Sequence, residues 1–206
     1  MRTLSEVLAE YGPVFVVARG KSAIEISRRA RRDRVAVITA LDSEEVTRGL
    51  KVVISEECSE PYLVAMSLAV ATIYGRPVDV VISVDPGETT HGLALMVAGV
   101  LVATETRRDL EGIVTLVTEL TKYLQPQRLI VKVGVSPASA RHALRLAKAL
   151  LSACPSVTVY LVEEDRAGRV VLGSLLEKCR IKGRHEVSAL KILLTPLRHC
   201  MKLGGR

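Results

Sequence analysis

The chain has 206 residues, 49% of them apolar and 25% charged, with a formal net charge of +7. This is an ordinary globular ratio, enough for one sizeable α/β domain or two small ones, and it excludes a disordered chain, a collagen and a coiled coil. The longest uncharged stretches, 89–104 and 61–75, fall short of the roughly 20 apolar residues of a spanning helix, and 3–11 carries Glu6 and Glu10 where a secretory leader is apolar, so no membrane span and a cytoplasmic location are expected.

Between 13 and 75 apolar runs alternate with helical patterns: strand 13–18, helix 20–33, strand 35–39, helix 43–48, strand 51–55, helix 61–74. Such alternation predicts a small parallel sheet. Asp42 with Glu45 gives a capping box, and Gly49 a stop. Helix 61–74 has no charge on any face, which predicts cover on several sides. Gly75, Arg76 and Pro77 then break the pattern, placing a boundary between an N-terminal subdomain, 1–76, and a second domain, 77–206. After the break come strands 79–85, 92–97 and 100–106, helix 109–124, strand 128–133, helix 137–152 and strand 157–162. Only Ala98 and Gly99 separate two of these strands, so a tight hairpin is predicted. Asp109 and Ser136 are the expected caps of the two helices. A last helical pattern starts near His185 and runs through Leu190, Leu194 and Leu197, with a kink or restart at Pro196.

Residues 1–177 balance their charges, while 178–206 hold eight basic side chains against Glu186 alone. That patch, which includes Lys182, Arg184 and Lys191, suits phosphates, as does the face carrying Arg141, Arg145 and Lys148; a solvated helix face with a frayed basic tail is the plainer expectation. The absence of Asn and Trp, with Arg outnumbering Lys about two to one, points to a hyperthermophile source. Four cysteines without a CxxC spacing exclude an ordinary structural zinc site and read as buried thiols with room for one bridge.

Three strands before any helix, then helix, strand, helix, strand and a terminal helix, is the order of the ribonuclease H-like superfamily. Residues 81–95, VISVDPGETTHGLAL, resemble the first hairpin of RuvC-type Holliday junction resolvases, and 185–194, HEVSALKILL, resemble their last helix. The resemblance covers about 78–200. It implies an α/β fold with a ribonuclease H-like mixed five-strand sheet in the order 3-2-1-4-5, to which the small parallel α/β subdomain of 1–76 is added. It also implies two divalent metals, Mg or Mn, held by an Asp on the first strand, a Glu on the fourth and two acids on the last helix. Asp85 matches the first. Lys132 stands where the Glu is expected, and His185 and Ser188 where the helix acids are expected.

Two-metal cleavage needs several carboxylates around cations roughly 4 Å apart, so the sequence leads to a nucleic-acid-binding protein with a degraded metal site, Lys132 pairing with Asp85 in place of a metal. Duplex or branched nucleic acid is the expected partner, because 3% aromatic content leaves little for base stacking. The alternative is an atypical Mn- or Mg-dependent nuclease using Asp85, Glu186 and His185, helped by His91 or Glu88. An interaction protein, with helix 61–74 as a homodimer seam, is a third reading. Gly87, Thr89, Thr90 and Gly92 also resemble the first hairpin of the actin and sugar-kinase ATPases, a rival with only one copy of the domain in the chain.

Overall fold

The structure is a computed structural model that describes residues 51–52, 63–64, 67–68, 70–71, 74, 77–173, 176, 181 and 183–204. The expectations for 1–50, and with them the separate N-terminal subdomain, lie outside the described residues. The strands are β1 (Lys51–Val52), β2 (Asp79–Pro86), β3 (His91–Val97), β4 (Val100–Arg107), β5 (Arg128–Val135), β6 (Thr158–Glu163) and β7 (Met201–Gly204). The helices are α1 (Leu110–Leu124), α2 (Ala140–Ala153), a short α3 (Glu164–Gly168) and α4 (Arg184–Leu194).

The strands form one seven-stranded sheet in the order β1-β4-β3-β2-β5-β6-β7. β2, β3 and β4 are antiparallel neighbours, whereas β2 pairs parallel with β5 and β5 parallel with β6. Counted from β2, the inner five strands stand in the order 3-2-1-4-5 that the resemblance implies, with β2 between β3 and β5. The frayed basic tail is corrected: Met201–Gly204 pairs antiparallel with β6. The last helix breaks at Pro196 as expected, stopping at Leu194. Thr195, the residue before Pro196, is extended (φ −63°, ψ 126°), as crowding by the proline ring demands, and a 3-10 turn, Leu197–His199, leads into β7.

Alternation along the strands divides the side chains between two faces. On one, Val80, Ile82 and Val84 of β2, Leu93 and Leu95 of β3, and Val131 and Val133 of β5 pack against Ile113, Leu116, Val117 and Leu120 of α1 and Leu146 and Leu150 of α2. Each such buried aliphatic contributes roughly 1.5–3 kcal/mol. Leu63, Val64, Leu68, Val70 and Ala71 are helical and buried in this same core, which is the cover expected of the uncharged pattern. On the other face Ala94 and Leu101 meet Ala189, Leu190 and Leu193 of α4.

The expected cap of α1 and the expected β3–β4 turn hold, while the cap of α2 is corrected: the helix begins at Ala140 behind Ser139, which makes no side-chain capping bond. The Asp109 carboxylate accepts the Gly112 N–H as the cap of α1. Ser136 and Ser139 exchange bonds ahead of α2, Ser136 N to Ser139 Oγ at 2.9 Å and Ser139 N to Ser136 Oγ at 3.3 Å. The β3–β4 turn puts Ala98 (φ 51°) and Gly99 (φ 78°) both in the left-handed region, the conformation a two-residue hairpin loop requires. Of the four thiols, Cys154 and Cys200 are free, and Cys58 and Cys179 lie outside the described residues. Among the described residues no helix is long and apolar enough to cross a membrane.

Candidate functional site

The carboxyl ends of β2, β5 and β6 point the same way, and α2, α3 and α4 all begin beside them. Open α/β sheets bind ligands at this edge because loops diverge there and helix N–H groups face inward. A cleft of about 470 Å³ occupies it. Its lining comes from the end of β2 and the following turn (Asp85 to Thr90), from Ser136, Ser139 and His142 at the head of α2, from Glu164 of α3, and from Arg184, His185 and Ser188 of α4.

Asp85 and His185 form the centre. His185 Nδ1 lies 3.0 Å from Asp85 Oδ2, so an ionised Asp85 accepts the Nδ1 proton and leaves Nε2 as the free lone pair. Burial holds the Asp85 carboxyl above the usual carboxylate range; the hydrogen bond from His185 opposes this, and repulsion from Glu164 adds to it. The pair exists because α4 lies directly on the sheet. A side chain at Gly92 would overlap the His185 carbonyl oxygen, and one pleat back the buried Ser83 hydroxyl donates to the Ala189 carbonyl at 2.6 Å.

A second polar group faces this pair across the cleft. Ser139 Oγ donates to Glu164 Oε1 at 2.8 Å and lies 2.9 Å from Ser136 Oγ, which leaves Ser136 to donate to Ser139. His142 stands one turn into α2, near enough to His91 to act on it electrostatically, as does His185. His91 itself is buried, its Nδ1 has no partner among the described residues, and burial pushes its imidazole below the usual value, with His142 adding to the effect.

The sheet order, with three antiparallel strands followed by two parallel ones, settles the architecture. The fold is ribonuclease H-like. No family model matches the chain, and no curated protein matches it. Among solved structures, T. thermophilus RuvC in complex with a Holliday junction substrate is similar over 60% of this chain and 99% of its own, at 19% identity and a TM-score of 0.44. The ethanolamine utilization protein EutJ from Carboxydothermus hydrogenoformans is similar over 46% of this chain and 40% of its own, at 17% identity and a TM-score of 0.30.

A ribonuclease H-like site implies divalent metals, and the side chains present do not fit a two-metal centre. Among the described residues no group of three or more His, Cys, Asp or Glu is gathered to hold a metal ion. The expected Lys132–Asp85 pair is corrected. Lys132 lies level with Ser83, not with Asp85, and its ammonium donates to the carbonyls of Leu193 (2.6 Å) and Thr195 (2.7 Å). Those carbonyls are orphaned by the helix end at Pro196, and a lysine stem reaches them where it could not also reach forward to Asp85. Burial holds the Lys132 ammonium below the usual lysine range.

Glu186 lies about 100° around α4 from His185 and reaches toward β4, where its Oε1 accepts from Thr106 Oγ1 at 3.3 Å; Asp85 and His185 are together, and Glu186 is not with them. Arg184 lines the cleft, and Arg141, Arg145 and Lys148 are exposed on α2. The Lys191 ammonium bonds the Gly168 carbonyl at 3.2 Å, and Lys182 lies outside the described residues. Glu88 borders the cleft, while His91 does not. The glycines of the rival ATPase resemblance serve packing: the Gly87 N–H is taken by Thr90 O at 3.1 Å, and Gly92 admits α4. Sequence reasoning missed Glu164, Ser139 and His142. The Glu163-Glu164-Asp165 run directly after a strand was the available signal for the first, and no local pattern marks the other two.

Proposed function

We propose that this protein binds nucleic acid, duplex or branched, through the cleft and the adjoining face of α2, and that two-metal phosphodiester cleavage is not its chemistry. One arrangement carries the reading. Arg141, Arg145 and Lys148 are spaced four and three apart, so they form one exposed stripe. That stripe runs about 10 Å along α2 from the helix head that borders the cleft, and Arg184 continues the positive charge on the other side. Such a track neutralises successive phosphates without reading bases, in keeping with the scarcity of aromatic side chains.

Filter-binding titrations of the full chain with duplex, four-way junction and RNA across a salt series test this. Retention at low salt is expected, with log K falling linearly against log salt. Replacing Arg141, Arg145 and Lys148 together by Ala should weaken binding to all sequences alike and reduce the salt slope by about 3. No retention of any of these at low salt overturns the proposal.

A further inference from the structure

The cleft is lined by two imidazoles, His185 of α4 and His142 of α2. From the cleft geometry we infer that this protein cleaves RNA without a metal, by intramolecular attack of a ribose 2′-oxygen, with His185 as general base and His142 as general acid. The inference rests on the proposal that the cleft binds nucleic acid, and it adds a substrate class, RNA with a flexible strand, and a reaction.

Three observations support it. The first is the Asp85–His185 bond of 3.0 Å, which fixes the imidazole with Nδ1 as donor and directs the basic Nε2 away from the carboxylate. The His185 side chain is 22% exposed and lines the cleft, so its free nitrogen is within reach of a bound strand. The second is His142, which enters the same cleft from the other face of the sheet. An in-line displacement needs two proton-handling groups on opposite sides of phosphorus, and two imidazoles from different elements supply them. The third is Arg184, beside His185 in the lining, a guanidinium suited to the non-bridging oxygens where negative charge collects.

The step balances without a co-reactant. The 2′-hydroxyl gives its proton to His185 Nε2 while its oxygen bonds to phosphorus. The bond from phosphorus to the 5′-oxygen breaks, and that oxygen takes a proton from His142. The products are a 2′,3′-cyclic phosphate and a 5′-hydroxyl. Asp85 stabilises the imidazolium that forms at His185, so its buried charge is most useful at the moment of transfer. DNA has no 2′-hydroxyl and is bound without being cut.

The test incubates the full chain in EDTA with an RNA strand carrying unpaired segments and with DNA of the same sequence, and identifies the new ends by mass spectrometry. Binding of both is followed by anisotropy under the same conditions. Wild type should cut the RNA alone, leaving 2′,3′-cyclic phosphate ends, with no increase on adding Mn. His185→Ala and His142→Ala, purified identically, should each lose about 100-fold or more of the rate, measured at saturating RNA. Unchanged thermal midpoints in both variants exclude misfolding, and His185→Gln serves if His185→Ala does not fold. RNA that is bound and stays intact in EDTA overturns the inference and leaves the binding proposal standing. Cutting that survives both substitutions, or that appears only with Mn and leaves 5′-phosphates, overturns it as well. RNA that is not bound at all overturns both.

Discussion

The two ends of α4 are held to the same face of the same sheet by strand side chains, and they differ in kind. At its start His185 meets Asp85 of β2, a hydrogen bond beside an open cleft with Glu164 close enough to repel the carboxylate. At its end Lys132 of β5 meets two backbone carbonyls, and the ammonium is buried. Both strand residues are ionisable and largely buried, yet one is a candidate catalytic group and the other a staple. What separates them is whether solvent and ligand can reach the partner. The carbonyls at the helix end take two of the three donors of the buried Lys132 ammonium, whereas His185 keeps one nitrogen unused beside the cleft.

Reversing the charge at the staple should have the largest effect. Lys132→Glu places a buried carboxylate against two carbonyl oxygens, which should cost about 3–5 kcal/mol, the range for an uncompensated buried charge. Thermal midpoints with and without Mn check it. Mn should restore nothing, since the side chain lies level with Ser83; a recovery would mean that position 132 reaches Asp85 and that the two ends are not distinct.

At the cleft end, Gly92→Ala pushes α4 off β3 because the new methyl overlaps the His185 carbonyl. A loss of about 1–3 kcal/mol is expected from overpacking, together with weaker nucleic-acid binding, measured by denaturant melts and anisotropy. The equivalent loss of binding should be absent in Lys132→Met, which damages only the other end.

The pH dependence should separate the ends by sign. Asp85 is held above its ordinary value, so the folded chain keeps that proton longer than the unfolded one. Stability therefore falls as pH rises from about 4 through the folded value, a slope that Asp85→Asn removes. Lys132 is held below its ordinary value, so the unfolded chain binds more protons. Stability rises with pH between the lowered folded value and about 10.4, a slope that Lys132→Met removes. Midpoints across pH for the three proteins decide it; parallel curves would erase the contrast.

The smallest effect serves as a control far from both ends. Ala98 holds a left-handed φ of 51°, which costs a residue with a Cβ about 1 kcal/mol. Ala98→Gly should raise stability by about 0.5–1 kcal/mol, read from the urea midpoint, and change neither pH slope.

The inner sheet was legible because period-2 apolar runs and a two-residue gap at Ala98 and Gly99 are local signals that tertiary contacts reinforced. Asp85 was legible through its strand-end motif, and His185 through its helix. The role of Lys132 was not. Its partners are main-chain carbonyls, which have no sequence signature, and reading it by alignment gave it the partner of the residue it replaces. β7 was hidden for a related reason: four residues, MKLG, carry too few apolar positions to show alternation, and only the pairing with β6 makes them a strand.

The order in which a chain is made gives the Lys132 staple a temporal meaning. Its acceptor at Leu193 lies 61 residues downstream, which at roughly 5–20 residues per second is synthesised about 3–12 s later. During that interval the ammonium has no built partner, Ala94 and Leu101 have no α4 to cover them, and Asp85 has no histidine. The sheet can form first, but the cleft is assembled only by the stretch that also seals the core, so a ribosome-arrested or C-terminally clipped chain would display apolar surface for quality control before it could display an Asp85–His185 pair.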